Sequence, residues 1–328
     1  MKYIYGLVIR LYNCIIATKI INNPNPMIRR VRAAIYHNIC FEQRVCLGSK
    51  NKEKVFYVIR CPQDEMGLFA IINFVVYHLK IADKNGYDPV VDWQHYPNKY
   101  FSENDKVGKE NAWDYFFEPI TNVSLKDVYK SHNVIMSSGD WDAGAIGEIN
   151  NINALHESHR IFNKYIRLNE EMRNRVNIEA ERVGVNTRRI LGLKIRGTDF
   201  VVTKPKDHSK VLDFESTIDI VKRKEEEWGG FDGIYLSTED EEVLNDSQKE
   251  FGERLYYTET RTYHKNEINS NWLGEVIDKM ETDKIEPLKG YLISTYILSM
   301  TDYLIAPAVG GTVGAMRIKG DFKGVCII

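Results

Sequence analysis

The sequence lacks the features that mark several large classes of protein. Its five cysteines form no CxxC pair and match no zinc or haem spacing, so a reducing compartment is the simplest interpretation. The formal net charge is only −2, which leaves no broad basic field to attract nucleic acid. No GxGxxG turn follows an early strand, which disfavours a dinucleotide-dependent oxidoreductase. Because the net charge is so small, any site for an anion must come from a local group of residues. The cysteines are Cys14, Cys40, Cys46, Cys61 and Cys326.

Long uninterrupted apolar runs are missing as well. Met1 to Ile21 is apolar in stretches, but Arg10 interrupts it, whereas about 20 continuous apolar residues are needed to span a bilayer. No small-residue cleavage site follows, so we expect neither a signal peptide nor a transmembrane helix, and a cytoplasmic protein. Leu7, Leu11 and Ile15 recur at helical spacing. Two interpretations stay open, a helix packed on its own domain and a helix lying on the anionic inner face of a membrane.

The composition is that of a folded globular chain. Hydrophobic residues make up 43% and charged residues 27% of 328 residues, a length that allows two domains. In the first half, Val55 to Arg60 and Pro89 to Trp93 are predicted strands on either side of a buried helix, Leu68 to Ala82, with Asp64 as its N-cap and Gly86 at its end. A long amphipathic helix over 154–183 leads to a predicted boundary at Gly184, which gives domains 1–184 and 185–328.

The second half alternates strands and helices more regularly. Predicted strands are Ile190 to Ile195, Gly233 to Ser237, Leu255 to Thr258, Asp302 to Ala306 and Gly324 to Ile328. Predicted helices are Asp213 to Trp228, Glu241 to Phe251 and Pro287 to Ser299. This alternation predicts an open, mostly parallel sheet with helices on both faces. Ligands of such sheets bind outside the carboxyl ends of the strands, so functional residues are expected there.

Three strand ends carry residues suited to an anionic ligand. Arg196, Gly197, Thr198 and Asp199 follow the first strand, Ser237, Thr238, Glu239 and Asp240 follow the second, and Gly310, Gly311 and Thr312 form a turn after the fourth. A guanidinium can bind phosphate in a bidentate manner, and backbone amides at a helix start can cradle phosphate oxygens. Each group also has a plain structural interpretation, as a surface ion pair, a helix cap or an ordinary turn. Their combination favours a nucleotide site.

These motifs resemble a known family. The runs 192–199, 234–240 and 299–305, with the glycine turn, are similar in order and spacing to the three motifs of the α-1,6- and protein O-fucosyltransferase superfamily, which includes the nodulation fucosyltransferases. Arg60 to Trp93 resembles the first βαβ unit of its capsule or lipopolysaccharide members. The resemblance implies an α/β, GT-B-like fold with two Rossmann-type domains facing a cleft. It also implies a GDP-sugar donor, most often GDP-fucose, a glycan acceptor, inversion of configuration, no cofactor and no metal, in surface polysaccharide synthesis.

The resemblance also implies roles for individual residues. Arg196 would bind the β-phosphate and stabilise the leaving diphosphate, and Asp199 matches the aspartate of the same motif. Such a charge clamp would act on negative charge that develops as the diphosphate leaves. Asp199, Asp207 and His208 are candidates for the base that deprotonates the acceptor hydroxyl. The predicted donor-binding residues are Lys194, Gly197, Thr198, Lys204, Lys206, Thr238, Glu239, Asp240, Gly310, Gly311 and Thr312.

The motif departs from the family pattern at two positions. Lys194 and Gly197 stand where many members have a histidine and a second arginine. Lys204, Lys206 and His208 follow in a loop that would restore positive charge near the donor. The departure leaves open a non-catalytic subunit that binds a sugar nucleotide or a glycan.

Another alternative comes from the first half of the chain. Asp140-Trp141-Asp142 is a DxD tripeptide, by which other glycosyltransferases hold a divalent cation through hard oxygen ligands. A metal-dependent GT-A-type enzyme would use it. Aromatic residues that could stack on an acceptor sugar also lie in this half, although aromatics usually belong to the core. They are Trp93, His95, Tyr96, Trp113 and Trp141.

Overall fold

The computed structural model describes residues 42–60, 67–95, 109–139, 143–197, 212–268 and 285–328. The chain divides into two compact units, Met1–Asp142 with Lys164–Asn169, and Ala143–Asn163 with Glu170–Ile328. Most of the region that the sequence assigned to one helix before Gly184 therefore belongs with the second unit. Elements are numbered in chain order over the described residues.

The first unit contains a four-stranded sheet of order β1-β4-β2-β3. Its central strand β2 is parallel to β3 and β4, and β1 is antiparallel to β4. The strands are β1 (Gln43–Val45), β2 (Phe56–Arg60), β3 (Asp88–Asp92) and β4 (Val134–Met136). A 3-10 turn at Ala112–Tyr115 and the short helix α2 (Leu125–Val128) lie between β3 and β4. The predicted βαβ unit is confirmed.

Helix α1 (Leu68–Asn85) joins β2 to β3 and is buried on most of its faces. Its own apolar residues lie on most of its faces, as expected of a helix in a core. The helix ends at Gly86, whose φ of 67° lies in the left-handed region. The Gly86 amide donates a hydrogen bond to the carbonyl of Asp83. The prediction of Gly86 is thus confirmed. The N-cap is Gly67, which has no side chain to offer, so the prediction of Asp64 as N-cap is wrong.

The second unit contains a five-stranded sheet of order β7-β6-β5-β8-β9, parallel throughout. Its strands are β5 (Ile190–Lys194), β6 (Gly233–Ser237), β7 (Leu255–Tyr257), β8 (Tyr303–Ala306) and β9 (Gly324–Ile327). All five lie where the alternation of the sequence predicted them. Leu193, Ile234, Leu236 and Ile305 are almost fully buried in the core of this sheet, and burial of one such side chain contributes about 1.5–3 kcal/mol.

The remaining helices fall largely in the second unit. They are α3 (Ile152–Tyr165), α4 (Glu170–Val183), α5 (Phe214–Trp228), α6 (Glu241–Phe251), α7 (Lys265–Ile268), α8 (Ile285–Met300) and α9 (Gly310–Lys319), with 3-10 turns at Ala143–Asn150 and Gly252–Arg254. Helix α8 approaches β5 closely, because a side chain on Gly192 would lie 3.2 Å from Leu298 Cδ2 of α8 and 2.6 Å from the hydroxyl of Thr301, which follows the helix. Glycine in β5 therefore permits this packing.

The single helix predicted over 154–183 is two helices in the structure. Between α3 and α4, Leu168 pairs with Phe117 in an antiparallel bridge, and the Glu118 amide donates to the Arg167 carbonyl at 2.8 Å. These non-local backbone bonds compete successfully with the local helical bonds of residues 166–169. Periodicity alone does not reveal such a competitor.

None of the described helices has both the length and the apolar character needed to cross a bilayer. The predicted N-terminal amphipathic helix lies outside the described residues.

Candidate functional site

Polar residues gather at the carboxyl edge of the second sheet. Lys194 at the end of β5 is in register with Ser237 at the end of β6, and Leu193 is in register with Ile305 of β8. Because the three strands are parallel, the residues that follow them leave the sheet at the same edge. Helix α9 begins four residues after the end of β8. This edge is the place where the sequence predicted a ligand.

Lys194 is the most unusual side chain at this edge, since only 1% of it is exposed. Its Nζ donates to the Ser237 hydroxyl at 3.3 Å and lies 5.0 Å from the centroid of the Tyr291 ring. Burial lowers the pKa of the Lys194 amine to about 8, with Glu239 opposing the shift and Arg196 adding to it. The amine is therefore still mostly protonated at neutral pH.

Arg196 and Glu239 face each other across the ends of β5 and β6. Arg196 Nε lies 3.8 Å from Glu239 Oε1, with 20% and 16% of the two side chains exposed. At 3.8 Å this contact between Nε and Oε1 is longer than a hydrogen bond. A guanidinium so placed can receive phosphate oxygens, and a carboxylate can accept from the N–H groups of a base or the hydroxyls of a ribose.

Asp240 has a structural task at this edge. Its fully buried carboxylate caps α6, accepting from the amides of Glu242 at 2.9 Å and Val243 at 3.2 Å. The Thr238 hydroxyl accepts from the Asp240 amide at 3.2 Å. Gly197 packs against Asp240 so closely that a side chain at 197 would lie 2.7 Å from Asp240 Cβ. Asp240 is thus the N-cap of α6, while its contact with a donor stays a prediction.

The start of α9 forms the third part of the edge. Val309 is its N-cap and supplies no capping side chain, and the first turn of a helix carries a partial positive charge. Thr312 is fully buried and donates its hydroxyl to the Pro307 carbonyl at 2.7 Å. Backbone amides, rather than the Thr312 hydroxyl, are therefore the groups that this turn can offer to a phosphate.

Several predicted residues lie outside the described part of the chain. They are Thr198, Asp199, Lys204, Lys206, Asp207 and His208, and also Asp140 and Asp142 of the DxD tripeptide. Among the described residues, no group of three or more histidine, cysteine or acidic side chains is arranged to hold a metal ion. The candidate bases and the metal-dependent alternative stay predictions.

The first unit contains a polar cluster that the sequence did not reveal. Asp92 ends β3, is fully buried, and accepts from His95 Nδ1 at 2.9 Å and from the Tyr129 hydroxyl at 2.6 Å. Burial alone would raise the pKa of Asp92, but the charge of His95 and the hydrogen bonds of His95 and Tyr129 outweigh it and lower the pKa. A carboxylate at the end of a buried strand was the available signal, but its partners were not apparent.

The predicted acceptor aromatics of the first unit are not sugar platforms where they are described. Trp93 and Trp113 are each 1% exposed, and their rings pack edge to face at 5.2 Å. They belong to the core, so a stacking role for these two is wrong. Tyr96 and Trp141 lie outside the described residues. A groove of about 760 Å³ lies nearby and is lined by Gln94, Asn111 and Tyr115 among others, a size that accommodates small ligands.

Comparison with known proteins gives a likeness in structure alone. No protein-family model and no curated protein matches the sequence. NodZ α-1,6-fucosyltransferase soaked with GDP-fucose has a TM-score of 0.50 and 15% identity, covering 81% of this chain and 92% of that one. The same enzyme co-crystallised with GDP has a TM-score of 0.50 and 16% identity, over 80% and 91%. Arabidopsis thaliana FUT1 with GDP has a TM-score of 0.48 and 12% identity, over 85% and 72%.

The NodZ structures establish the fold of this chain. It is an α/β protein with parallel sheets and a GT-B-like architecture, as the sequence predicted. At identities of 15% and 16% the likeness extends to the fold and not to the chemistry. The reaction that this chain can carry out therefore depends on the residues at the edge of the second sheet.

Proposed function

We propose that this chain is a glycosyltransferase that transfers a sugar, most simply fucose, from a GDP-sugar to a glycan acceptor. The observation that carries the proposal is the carboxyl edge of the second sheet. There, Arg196 Nε lies 3.8 Å from Glu239 Oε1 at the ends of β5 and β6. Helix α9 begins after β8, and its N-cap, Val309, supplies no capping side chain. A guanidinium, a carboxylate and a free helix start suit the phosphate and nucleoside ends of one donor.

The proposed reaction needs little from the protein beyond binding and charge. The acceptor hydroxyl oxygen bonds to the anomeric carbon, the bond from that carbon to the phosphate oxygen breaks, and GDP departs with the electron pair. Arg196 and the α9 amides would stabilise the negative charge of the departing diphosphate. The base that accepts the hydroxyl proton is proposed to be Asp199, Asp207 or His208. Inversion, independence of metal and a role in capsule or lipopolysaccharide synthesis are parts of the same proposal.

The fold neighbours supply the first nucleotides to test. NodZ α-1,6-fucosyltransferase has been studied with GDP-fucose and with GDP. This supports a GDP-sugar as the first donor to try, and it is the reason for preferring fucose. The acceptor is proposed to be a glycan, and the groove lined by Asn111 and Tyr115 is a candidate to hold it.

Calorimetric titration with GDP tests the donor site directly. We expect Arg196→Ala to bind GDP at least tenfold more weakly than wild type, because a hydrogen bond to a charged group is worth about 1.5–3 kcal/mol. Arg175→Ala is the matched control, since Arg175 pairs with Glu286 on the surface of α4 and α8. Equal GDP affinities for wild type and Arg196→Ala would remove Arg196 from the site.

Turnover separates the proposal from its alternatives. Purified protein is incubated with GDP-fucose, GDP-mannose and UDP-sugars, with and without EDTA, and release of the nucleotide is followed. We expect consumption of a GDP-sugar that survives EDTA. Loss of activity on chelation would favour the metal-dependent enzyme with Asp140 and Asp142. Binding of GDP without turnover of any GDP-sugar would favour the non-catalytic subunit, and binding of UDP-sugars alone would contradict the proposal.

A further inference from the structure

Among the described residues, Lys194 is a buried cation that forms no close ion pair. The residue is 1% exposed, and the hydrogen bond of its amine goes to the neutral hydroxyl of Ser237. Among the described residues no carboxylate lies within 4 Å of Nζ to form an ion pair. Removing an ammonium from water costs several kcal/mol unless a counter-charge is present. Lys194 lies at the end of β5, on the sheet edge proposed to bind the donor. We therefore expect its charge to be balanced by an anionic ligand.

The start of helix α9 lies beside Lys194 and adds partial positive charge. Its Cε lies 3.4 Å from the point where a side chain on Gly311 would begin, so the lysine lies beside the first turn of α9. That turn has Val309 as a non-capping N-cap, and no acceptor is assigned to the amides of Gly310 and Gly311 within the described residues. A phosphate here would meet an ammonium and the positive end of a ten-residue helix together.

Tyr291 of α8 fixes the position of the lysine. Lys194 Nζ lies 5.0 Å from the centroid of its ring, within range of a cation–π interaction. The Tyr291 Cζ atom lies 3.2 Å from the position of a Gly311 Cβ, and its hydroxyl lies closer still. One tyrosine therefore contacts both the buried ammonium and the start of α9.

We propose that Lys194 binds the diphosphate of the donor nucleotide, and that Tyr291 is a positioning residue that holds the ammonium against the start of α9. This inference rests on the proposed function, since it names a second cation for the same donor. It goes further in making GDP affinity depend on the charge of a single titrating amine. It also separates the diphosphate contact from the nucleoside contact, which involves other residues.

The first test compares Lys194→Met with wild type. We expect the variant to bind GDP at least tenfold more weakly, GMP less affected, and guanosine with unchanged affinity. Its Tm should equal or exceed that of wild type, because methionine fills the site without a desolvated charge. Lys249→Met is the control, as Lys249 is 77% exposed and pairs with Asp246. A lower Tm together with unchanged GDP affinity would show a purely structural lysine and overturn the proposal.

The second test needs no variant and uses pH. The amine of Lys194, with a pKa of about 8, is faced by Glu239 and Arg196. If only the charged form binds the diphosphate, GDP affinity should fall up to about eightfold between pH 7.5 and 9, since the protonated fraction falls by that factor. Guanosine affinity should stay constant over this range. A GDP affinity that does not change between pH 7.5 and 9 would contradict the proposal even if Lys194→Met does not fold.

Variants of Tyr291 test the positioning role. We expect Tyr291→Phe to keep most of the GDP affinity, because the ring remains under the ammonium, and Tyr291→Leu to lose part of it. In the Lys194→Met background, Tyr291→Leu should have no further effect on GDP binding, since residues that act through one contact are not additive. Full additivity of the two substitutions would show that Tyr291 does not act through Lys194.

The outcomes distinguish this inference from the proposed function. If Arg196→Ala weakens GDP binding and Lys194→Met does not, the lysine proposal is wrong and the glycosyltransferase proposal stands. If wild type binds no GDP and turns over no GDP-sugar, the proposed function is wrong and the lysine proposal falls with it.

Discussion

The carboxylate of Asp240 fills the space in which a side chain on Gly197 would lie. A Cβ at 197 would be 2.7 Å from both Cβ and Cγ of Asp240, and closer to one of its oxygens. Because Asp240 also caps α6, the turn after β5 and the start of α6 fix each other. Gly197 is therefore required by its neighbour in the fold, whatever it contributes to a ligand.

Gly197→Ala tests this dependence. We expect it to lower the free energy of unfolding by about 1–3 kcal/mol, the usual cost of overpacking. Asp240→Gly removes all of the crowding atoms, and glycine itself is a tolerable N-cap. In that background, Gly197→Ala should cost at least 1 kcal/mol less, as expected for residues in contact. Urea unfolding of the four proteins measures the coupling, and additive effects would rule out the packing explanation.

Glu148 and Arg317 anchor α9 within the second unit. Arg317 Nε lies 2.8 Å from Glu148 Oε2, with 3% and 10% of the two side chains exposed, and Ser158 donates to the other carboxylate oxygen at 2.7 Å. Glu148→Leu should destabilise the protein by about 3–5 kcal/mol, because it leaves the guanidinium buried without its partner. Adding Arg317→Met should restore much of that stability in thermal unfolding. A double variant less stable than Glu148→Leu would contradict this account.

Asp92 makes the stability of the first unit sensitive to acid. Its pKa is lower in the folded protein than in the unfolded chain, so ionised Asp92 stabilises the fold above its unfolded pKa of about 3.9. That contribution is lost as the pH falls through the folded pKa. Asp92→Asn should cost about 1–3 kcal/mol at pH 7 by weakening buried hydrogen bonds, and it should flatten the decline in Tm below pH 4. Tyr129→Phe removes one hydrogen bond and should have a smaller effect in the same direction. An unchanged acid decline in Asp92→Asn would assign the decline to other groups.

The sheet edge could be predicted because it depends on local order. Parallel strands bring the residues after them to one edge, so Arg196, Glu239 and Gly311 follow from the positions of three strands. Residue types at those positions then indicated an anion. The same reasoning does not separate capping from ligand contact, and for Asp240 and Thr312 the structure shows internal hydrogen bonds.

The missed residues depend on packing between distant segments. Tyr291 lies in α8, whose apolar residues are spread over most of its faces, so no periodicity distinguishes the face that meets Lys194. The Asp92 cluster needs Tyr129, which comes 37 residues later. Trp93 and Trp113 were candidates for stacking on an acceptor sugar, because the sequence does not show that their rings pack against each other. Such pairings are fixed by tertiary contacts that leave no mark in a local pattern.

Gly311 and Tyr291 allow the geometry of the candidate site to be tested apart from its charge. A side chain on Gly311 would collide with the Tyr291 hydroxyl, whereas the next nearest atoms are 3.2 Å and 3.4 Å away. Gly311→Ala should therefore destabilise the protein by about 1–3 kcal/mol and weaken GDP binding, because either α9 or Tyr291 must move. Phenylalanine lacks the colliding oxygen. In the Tyr291→Phe background, Gly311→Ala should be neutral or stabilising by up to about 1 kcal/mol, since alanine is the better helix former. Tm and GDP affinity are measured for all four proteins. If Gly311→Ala weakens GDP binding equally in both backgrounds, the loss comes from the alanine methyl blocking the nucleotide and not from displacement of Tyr291.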